Sequence, residues 1–312
     1  MNKLWRIFSF SLYLNLALVG MFSFAGEEEN AQLSLVALGP NQVGALKLLG
    51  KLDQVKAYGQ KRWAFASEIQ DVQVVDLGYP PSLEQLIRLK PSLVLVNGGP
   101  WAVCEGVPWM EKAGLPLFTY LDFLEPHPLG RLAWAKVLGK KLGVGPMALQ
   151  RVEEYTLAYQ QIQQKTQELP ATQRPLVLLG SLQGDTWVAP AGGQWMAHLI
   201  EDAGGQYLWA NRKQEVRLPW EQVLRLAKDV AYWIPLNHWQ QAQEIMASDT
   251  RYALLKIKRG RIINNNQRLN ALKANDFWES GLYHPHELLA ELQQILHPEL
   301  GSRLPLKWWR PL

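Results

Sequence analysis

The chain has 312 residues, 48% of them hydrophobic and 19% charged, with a formal charge of +4. That composition excludes a disordered chain, a collagen or a small disulfide-stapled module, and so slight a basic excess is no electrostatic footprint for nucleic acid. A single cysteine, Cys104, excludes an intrachain disulfide and any cysteine-based zinc knuckle or redox pair.

Lys3 and Arg6 precede a mostly apolar run from Ile7 to Phe22, and Ser23-Phe24-Ala25 supplies a small-x-small pattern. These are the parts of a secretory signal peptide over residues 1–25, cleaved near Ala25, and the run is short for a permanent anchor. An uncleaved N-terminal helix is the alternative. No cysteine follows the run, so the usual bacterial lipid anchor is not expected. The mature chain is expected to be soluble and outside the cytoplasm.

Leu33 to Leu38 is an apolar run ended by Gly39-Pro40, which reads as a buried strand. Asn41 opens a helix with apolar positions Val43, Leu46, Leu48 and Leu49, running to Gly50. Further strands are expected at Val72 to Leu77, Leu93 to Val96 and Leu115 to Leu121, with a helix from Ser82 to the residue before Pro91. From Pro128 to Leu169 two helical stretches follow one another, broken at Gly143-Val-Gly-Pro146. The second spans about 35 Å at 1.5 Å per residue. Leu176 to Leu179 then restarts the strand–helix alternation. Alternation of this kind predicts an α/β fold with mostly parallel sheets in two Rossmann-like lobes. The division expected is 26–126 for the first lobe, 127–172 for the linking helices and 173–312 for the second lobe.

An internal repeat accords with two lobes. Residues 82–96 lie over residues 219–233 without a gap, and Glu84, Gln85, Arg88 and Leu89 recur as Glu221, Gln222, Arg225 and Leu226. Two amphipathic helix–strand units share periodicity in any case. The identities gain weight from falling at equivalent points of the two lobes.

Catalytic patterns are wanting. There is no G-x-S-x-G, no G-x-x-x-x-G-K-[ST], no G-x-G-x-x-G and no H-E-x-x-H. Cys104 stands in no thiol-enzyme motif. His284-Pro-His286 is a two-histidine spacing with no third local ligand, so it reads as the turn opening a helix, and no metal site is assigned. Fourteen tryptophans are the compositional anomaly, suggesting aromatic-lined surface beyond what a core needs. Loops next to strand ends carry Tyr79, Trp101, Trp187, Trp195 and Trp278, with Gly98-Gly99 and Gly192-Gly193. In two-lobed α/β proteins a ligand crevice lies at strand C-terminal ends, so these five aromatics are the candidate ligand-binding residues. Each taken singly is more often packing than pocket.

Several segments carry a family resemblance. The stretch from Ser34 to Gly50, the helix–strand unit from Pro81 to Val96, Trp187 to Gly205, and Asn264 to Arg268 followed by Asn275 to Gly281 resemble class III periplasmic substrate-binding proteins. His297-Pro-Glu-Leu300 fits the same family's C-terminal end. The resemblance implies two lobes bridged by one rigid helix and a metal-chelate ligand: a ferric siderophore first, then cobalamin or haem. It also implies ABC permease subunits as partners, no catalysis, no resident cofactor and a monomer. Glu84 and Glu221 match the pair of glutamates that dock on permease arginines; without the resemblance they are acidic residues in first helical turns, where the dipole favours them. Tyr79 stands where haem-binding members place an iron-ligating tyrosine. The chain departs from the family in lacking the lipid-anchor cysteine and in having Ser92 where Asp is common. The alternative class is a two-lobed α/β enzyme, for which no nucleophile–base pair or cofactor loop is nominated. A signalling partner that binds a receptor in place of an importer is a further alternative.

Overall fold

The computed structural model describes residues 33–97, 106–258, 260–300 and 305–312. The expected signal peptide, Gly98-Gly99, Trp101 and Cys104 lie outside the described residues.

The first lobe runs β1 (Leu35–Ala37), α1 (Pro40–Leu48), β2 (Val55–Tyr58), α2 (Ser67–Gln70), β3 (Val75–Asp76), α3 (Leu83–Leu89), β4 (Leu93–Asn97), α4 (Val107–Lys112) and β5 (Leu117–Tyr120). Its strands form one parallel sheet in the order β3-β2-β1-β4-β5. Every residue of β1 is buried, because helices cover both faces. Leu35, Ala37, Leu93 and Leu95 meet α1 on one side, while Val36, Val94 and Val96 meet Leu86 of α3 and Met110 of α4 on the other. The strand order reverses beside β1, which opens a crevice at the strand C-terminal ends.

Two helices follow, α5 (Pro128–Lys141) and α6 (Gly145–Gln167), broken at the expected glycine-proline segment. The 23 residues of α6 reach about 35 Å. Its buried positions Ala148, Val152, Tyr159 and Thr166 are widely spaced, and its outer surface is mostly polar apart from the exposed Leu149 and Leu157.

The second lobe comprises β6 (Leu176–Leu179), β7 (Ser181–Gln183), β8 (Thr186–Ala189), α7 (Trp195–Asp202), β9 (Gln206–Tyr207), β10 (Val216–Pro219), α8 (Trp220–Leu226), β11 (Tyr232–Ile234), α9 (Ala242–Ser248), β12 (Ile263–Asn264), α10 (Pro285–Leu296) and β13 (Arg310–Pro311). A parallel sheet β11-β6-β9 is joined here by an antiparallel meander β10-β8-β7 and a β12-β13 pair. The α/β class holds, with less parallel pairing in this lobe than in the first. The repeat is real at the level of elements: α3–β4 and α8–β11 are its two copies.

One apolar core runs through both lobes and the linking helices. Polar bonds also join the lobes. Tyr283 lies 2.6 Å from Tyr120, hydroxyl to hydroxyl, and donates to Asp122 at 3.1 Å; Asn41 Nδ2 donates to the same carboxylate at 2.6 Å. Burial pushes the Asp122 carboxyl above the usual range, against the opposing pull of Arg131 and these donors. Among the described residues no helix is long and apolar enough to cross a membrane.

Candidate ligand-binding cleft

A cleft of about 940 Å³ opens at the C-terminal ends of strands from both lobes. That is the size of a site for a large small molecule. From the first lobe, the chain leaving β1 contributes Leu38 and Pro40, that leaving β2 contributes Gln60, Arg62 and Trp63, and that leaving β3 contributes Gly78, Tyr79 and Pro81. Gly78 turns the chain at φ 73°, a conformation open to glycine, and its N–H donates to Asp76 Oδ1 at 3.0 Å. Tyr79 is thereby left 64% exposed at the mouth.

The facing wall comes from the second lobe: Leu236 to His238 after β11, Asn265 and Asn266 after β12, and Leu269, Leu272 to Asn275 and Trp278 further on. The asparagines build it. Asn264 Nδ2 donates to the carbonyls of Asn237 and Trp239 at 2.6 and 2.8 Å, and Asn266 Nδ2 donates to Trp239 at 2.9 Å. These bonds hold the turn that presents His238 to the cleft. Asn265 Nδ2 and Asn266 Oδ1 are buried with no hydrogen-bond partner, a donor and an acceptor left over beside the site. Leu236 and Lys273 adopt φ 51° and 64°. Left-handed backbone at non-glycine residues is uncommon, and two such residues on one wall mark it as over-determined by its surroundings.

The electrostatics are one-sided. Arg62, Lys273 and His238 line the cleft, and no Asp or Glu does among the described lining residues. Arg62 lies over the Trp63 ring at 4.7 Å, and Trp63 Nε1 donates to Gln60 Oε1 at 2.6 Å. A flat cation-on-indole lip therefore faces a wall of neutral amides. Such an arrangement recognises a large, partly flat ligand with anionic oxygens at its edge.

Of the five aromatics expected at the site, Tyr79 and Trp278 line the cleft. Trp101 lies outside the described residues. Trp187 and Trp195 do not line it, which corrects the expectation. Trp187 is fully buried, donates to the Leu179 carbonyl at 3.1 Å and stacks on Trp220 at 6.0 Å, because the pleat of β8 turns it with Ala189 into the core. Trp195 opens α7 and packs behind Trp278 at 6.2 Å, supporting the wall without reaching its surface. The tryptophan surplus is chiefly core: among the described residues, eight tryptophans are buried. Sequence reasoning missed Gln60, Arg62, Trp63, His238 and Lys273. Only the asparagine run offered a signal, through the family resemblance.

Glu84 and Glu221 lie away from the cleft, exposed in the first turns of α3 and α8. Glu84 pairs with Arg88 at 2.5 Å. His284 and Pro285 open α10, and burial lowers the pKa of both His284 and His286. Among the described residues no three His, Cys, Asp or Glu side chains stand together as metal ligands.

A two-lobed α/β molecule with a ligand crevice between its lobes is the architecture of a solute-binding protein. The chain belongs to the periplasmic binding protein family, whose sequence model matches residues 35–280. Membership of a binding-protein family, rather than any missing feature, sets it apart from the enzymes. An uncharacterized lipoprotein of Methanocaldococcus jannaschii is 21% identical over 247 residues; the alignment takes in 76% of this chain and 57% of that protein, so the chain spans little more than half its relative's length. Among solved structures, a periplasmic heme-binding protein of Pseudomonas aeruginosa superposes with a TM-score of 0.66 at 18% identity, covering 89% of this chain and 97% of that one. A possible iron-binding periplasmic protein of Staphylococcus epidermidis gives 0.66 at 12%, covering 86% and 100%. The Fe3+–Desferal-bound siderophore-binding protein of Vibrio cholerae gives 0.61 at 14%, covering 85% and 100%. At these identities the likeness is one of fold.

Proposed function

We propose that the protein is the extracytoplasmic binding component of an ABC importer and that it captures an anionic metal chelate, a ferric siderophore foremost. The observation that carries the reading is the cleft's charge: Arg62 and Lys273 with no opposing carboxylate among the described lining residues. Siderophore complexes present ring-like oxygen donors around iron and commonly keep a net negative charge, which this lip would hold. The amide wall would meet their carbonyl and hydroxyl edges. The binding protein works as a monomer exported by residues 1–25, and Glu84 and Glu221 dock on arginines of the two permease subunits. Solved proteins of the same fold bind a siderophore in one case and heme in others.

Haem is the second reading, favoured by one observation. The Tyr79 phenol is exposed at the mouth of a cleft walled by Trp63 and Trp278, so it can approach an iron from one side while the macrocycle lies against the indoles. Two carboxylates at a haem edge would use the same cations. Cobalamin, nearly neutral overall, makes less use of them.

Absorbance decides among the three. Protein purified from its native host, and recombinant protein titrated with a ferric enterobactin-type catecholate, haemin and cyanocobalamin, should show a charge-transfer band, a Soret band or corrin bands respectively. A protein that arrives colourless and binds none of the three ends the chelate reading.

A further inference from the structure

Glu279 is fully buried, and its carboxylate has no cationic partner within salt-bridge distance among the described residues. Its two oxygens accept from the other lobe: Phe65 N–H at 2.8 Å on Oε2 and Ala66 N–H at 3.0 Å on Oε1. Asn270 adds a third bond across the same seam, its Nδ2 donating to the Ala64 carbonyl at 2.9 Å. Ala64 and Ala66 are themselves buried. Three successive backbone positions of the first lobe, 64 to 66, are thus tied to the second lobe at two points. Immediately before them stand Arg62 and Trp63, the cation-and-indole lip of the cleft. Immediately before Glu279 stands Trp278, on the facing wall. Close packing locks the seam further: a Cβ on Gly44 of α1 would lie 2.1 Å from the Glu279 carbonyl oxygen.

From this juxtaposition we infer that Glu279 is a positioning residue for ligand capture, a strap from the second lobe that holds the Arg62–Trp63 lip at a set distance from the Trp278 wall. The inference rests on the chelate reading for its ligand and goes beyond it in naming what sets the width of the cleft. A buried carboxylate satisfied only by backbone N–H groups is a poor way to stabilise a fold, since a well-packed apolar residue usually does as well or better. What the carboxylate supplies that an apolar residue does not is direction: two acceptors at fixed spacing, matched to two consecutive N–H groups. Desolvation, helped by the nearby Asp276 carboxylate, pushes its pKa up to about 7 against the pull of the Phe65 and Ala66 donors and of Lys47, so the strap is fully ionised only on the alkaline side of neutral.

Glu279→Gln keeps the volume but turns one acceptor into a donor facing an N–H. The test has two arms, both at pH 8. Without ligand, hydrogen exchange of the peptide covering residues 60–66 should quicken about tenfold or more in the variant, with β4 unchanged, since one charge-assisted bond is lost. With a ferric catecholate complex or haemin as probe, affinity should fall about five- to thirtyfold in the variant. The fall should vanish when Arg62→Ala and Trp63→Ala are already present, because a strap acts through the lip it holds. Unchanged exchange overturns the strap, as does an affinity loss that persists in full without the lip, the mark of a general structural defect. Faster exchange with unchanged affinity for a bound probe overturns the positioning role. A parent protein that binds neither probe overturns the chelate reading alone, because the exchange arm, run without ligand, still decides the strap. Asn270→Ala, which cuts the third bond and leaves Glu279 intact, should give a smaller change of the same sign in both arms.

Discussion

Neutralising the cleft's cations tests the reading of its ligand most directly. Arg62 and Lys273 are exposed side chains from opposite lobes, with no ion pair to any described residue, so removing them breaks no salt bridge of the fold. Arg62→Gln loses the stack on Trp63 at 4.7 Å and a forked donor; Lys273→Gln loses a point charge. A charge-assisted hydrogen bond to a ligand carboxylate or catecholate is worth roughly 1.5–3 kcal/mol, which is about ten- to a hundredfold in affinity for each residue. The lower end suits a wet cleft mouth, so we expect about tenfold for Lys273→Gln, about thirtyfold for Arg62→Gln with its lost stacking, and near-additivity if the two contact different ligand groups. Both exposed sites should unfold within roughly 0.5 kcal/mol of the parent. The assay is fluorescence or absorbance titration with a ferric chelate at low and high salt. Parent affinity should fall as salt rises, and the double variant's should depend on salt much less. If the double variant binds as the parent does, or if a neutral chelate binds more tightly than its anionic counterpart, the charge argument is wrong.

Three further outcomes follow from the same geometry. Glu84→Arg combined with Glu221→Arg should abolish uptake in cells while leaving ligand affinity within about twofold, since both carboxylates lie outside the cleft; normal uptake removes the docking assignment. Trp187→Ala should cost roughly 3–5 kcal/mol of stability, seen as a large fall in Tm, whereas a folded variant with weakened binding alone would return Trp187 to the site. Stability between pH 4 and 8 should reflect two opposed groups. Burial lowers His286 to about 4, so its contribution is present above 6.5 and lost as pH falls toward 4, whereas Glu279, raised to about 7, contributes below 4.5 and loses that as pH rises through 7. Glu279→Gln should therefore remove the decline between pH 4.5 and about 7, by about 1–3 kcal/mol, and an unchanged profile refutes that account.

The first lobe was legible because its strands are buried on both faces and read as unbroken apolar runs, Leu35 to Ala37 and Leu93 to Val96. The strand Val55–Tyr58 was not, since Lys56 interrupts it and its pairing with β1 depends on residues far apart in the chain. The antiparallel meander of the second lobe was hidden for a like reason: Ser181 to Gln183 has no hydrophobic pattern and becomes a strand only by pairing with β8. The long helix was plain from its proline, its polar surface and its length. Trp187 was misjudged because alternation in Thr-Trp-Val-Ala says that Trp187 and Ala189 share a face, and does not say which face meets the core.

The cleft was harder to read than the fold, and the reason is physical. A core residue announces itself by period, because its neighbours on the same element share its environment. Arg62 and Trp63 have no such neighbours. They sit in a loop whose local sequence, Gln60-Lys-Arg-Trp63, looks like any solvated turn, and they acquire a role only when that loop is fixed against the opposite lobe. The bonds that fix it come from Glu279, 214 residues along the chain from Phe65. The same holds for His238, whose turn is pinned by Asn264, 27 residues on from Asn237. In a two-lobed protein the site is made where the lobes meet, so its residues are selected by long-range register that no window of sequence contains. What the sequence does carry is the anchoring end of each bond: a glutamate and asparagines that bury themselves where an apolar residue would pack as well. Buried polar residues without a local reason are therefore where a reading of such a chain should look first.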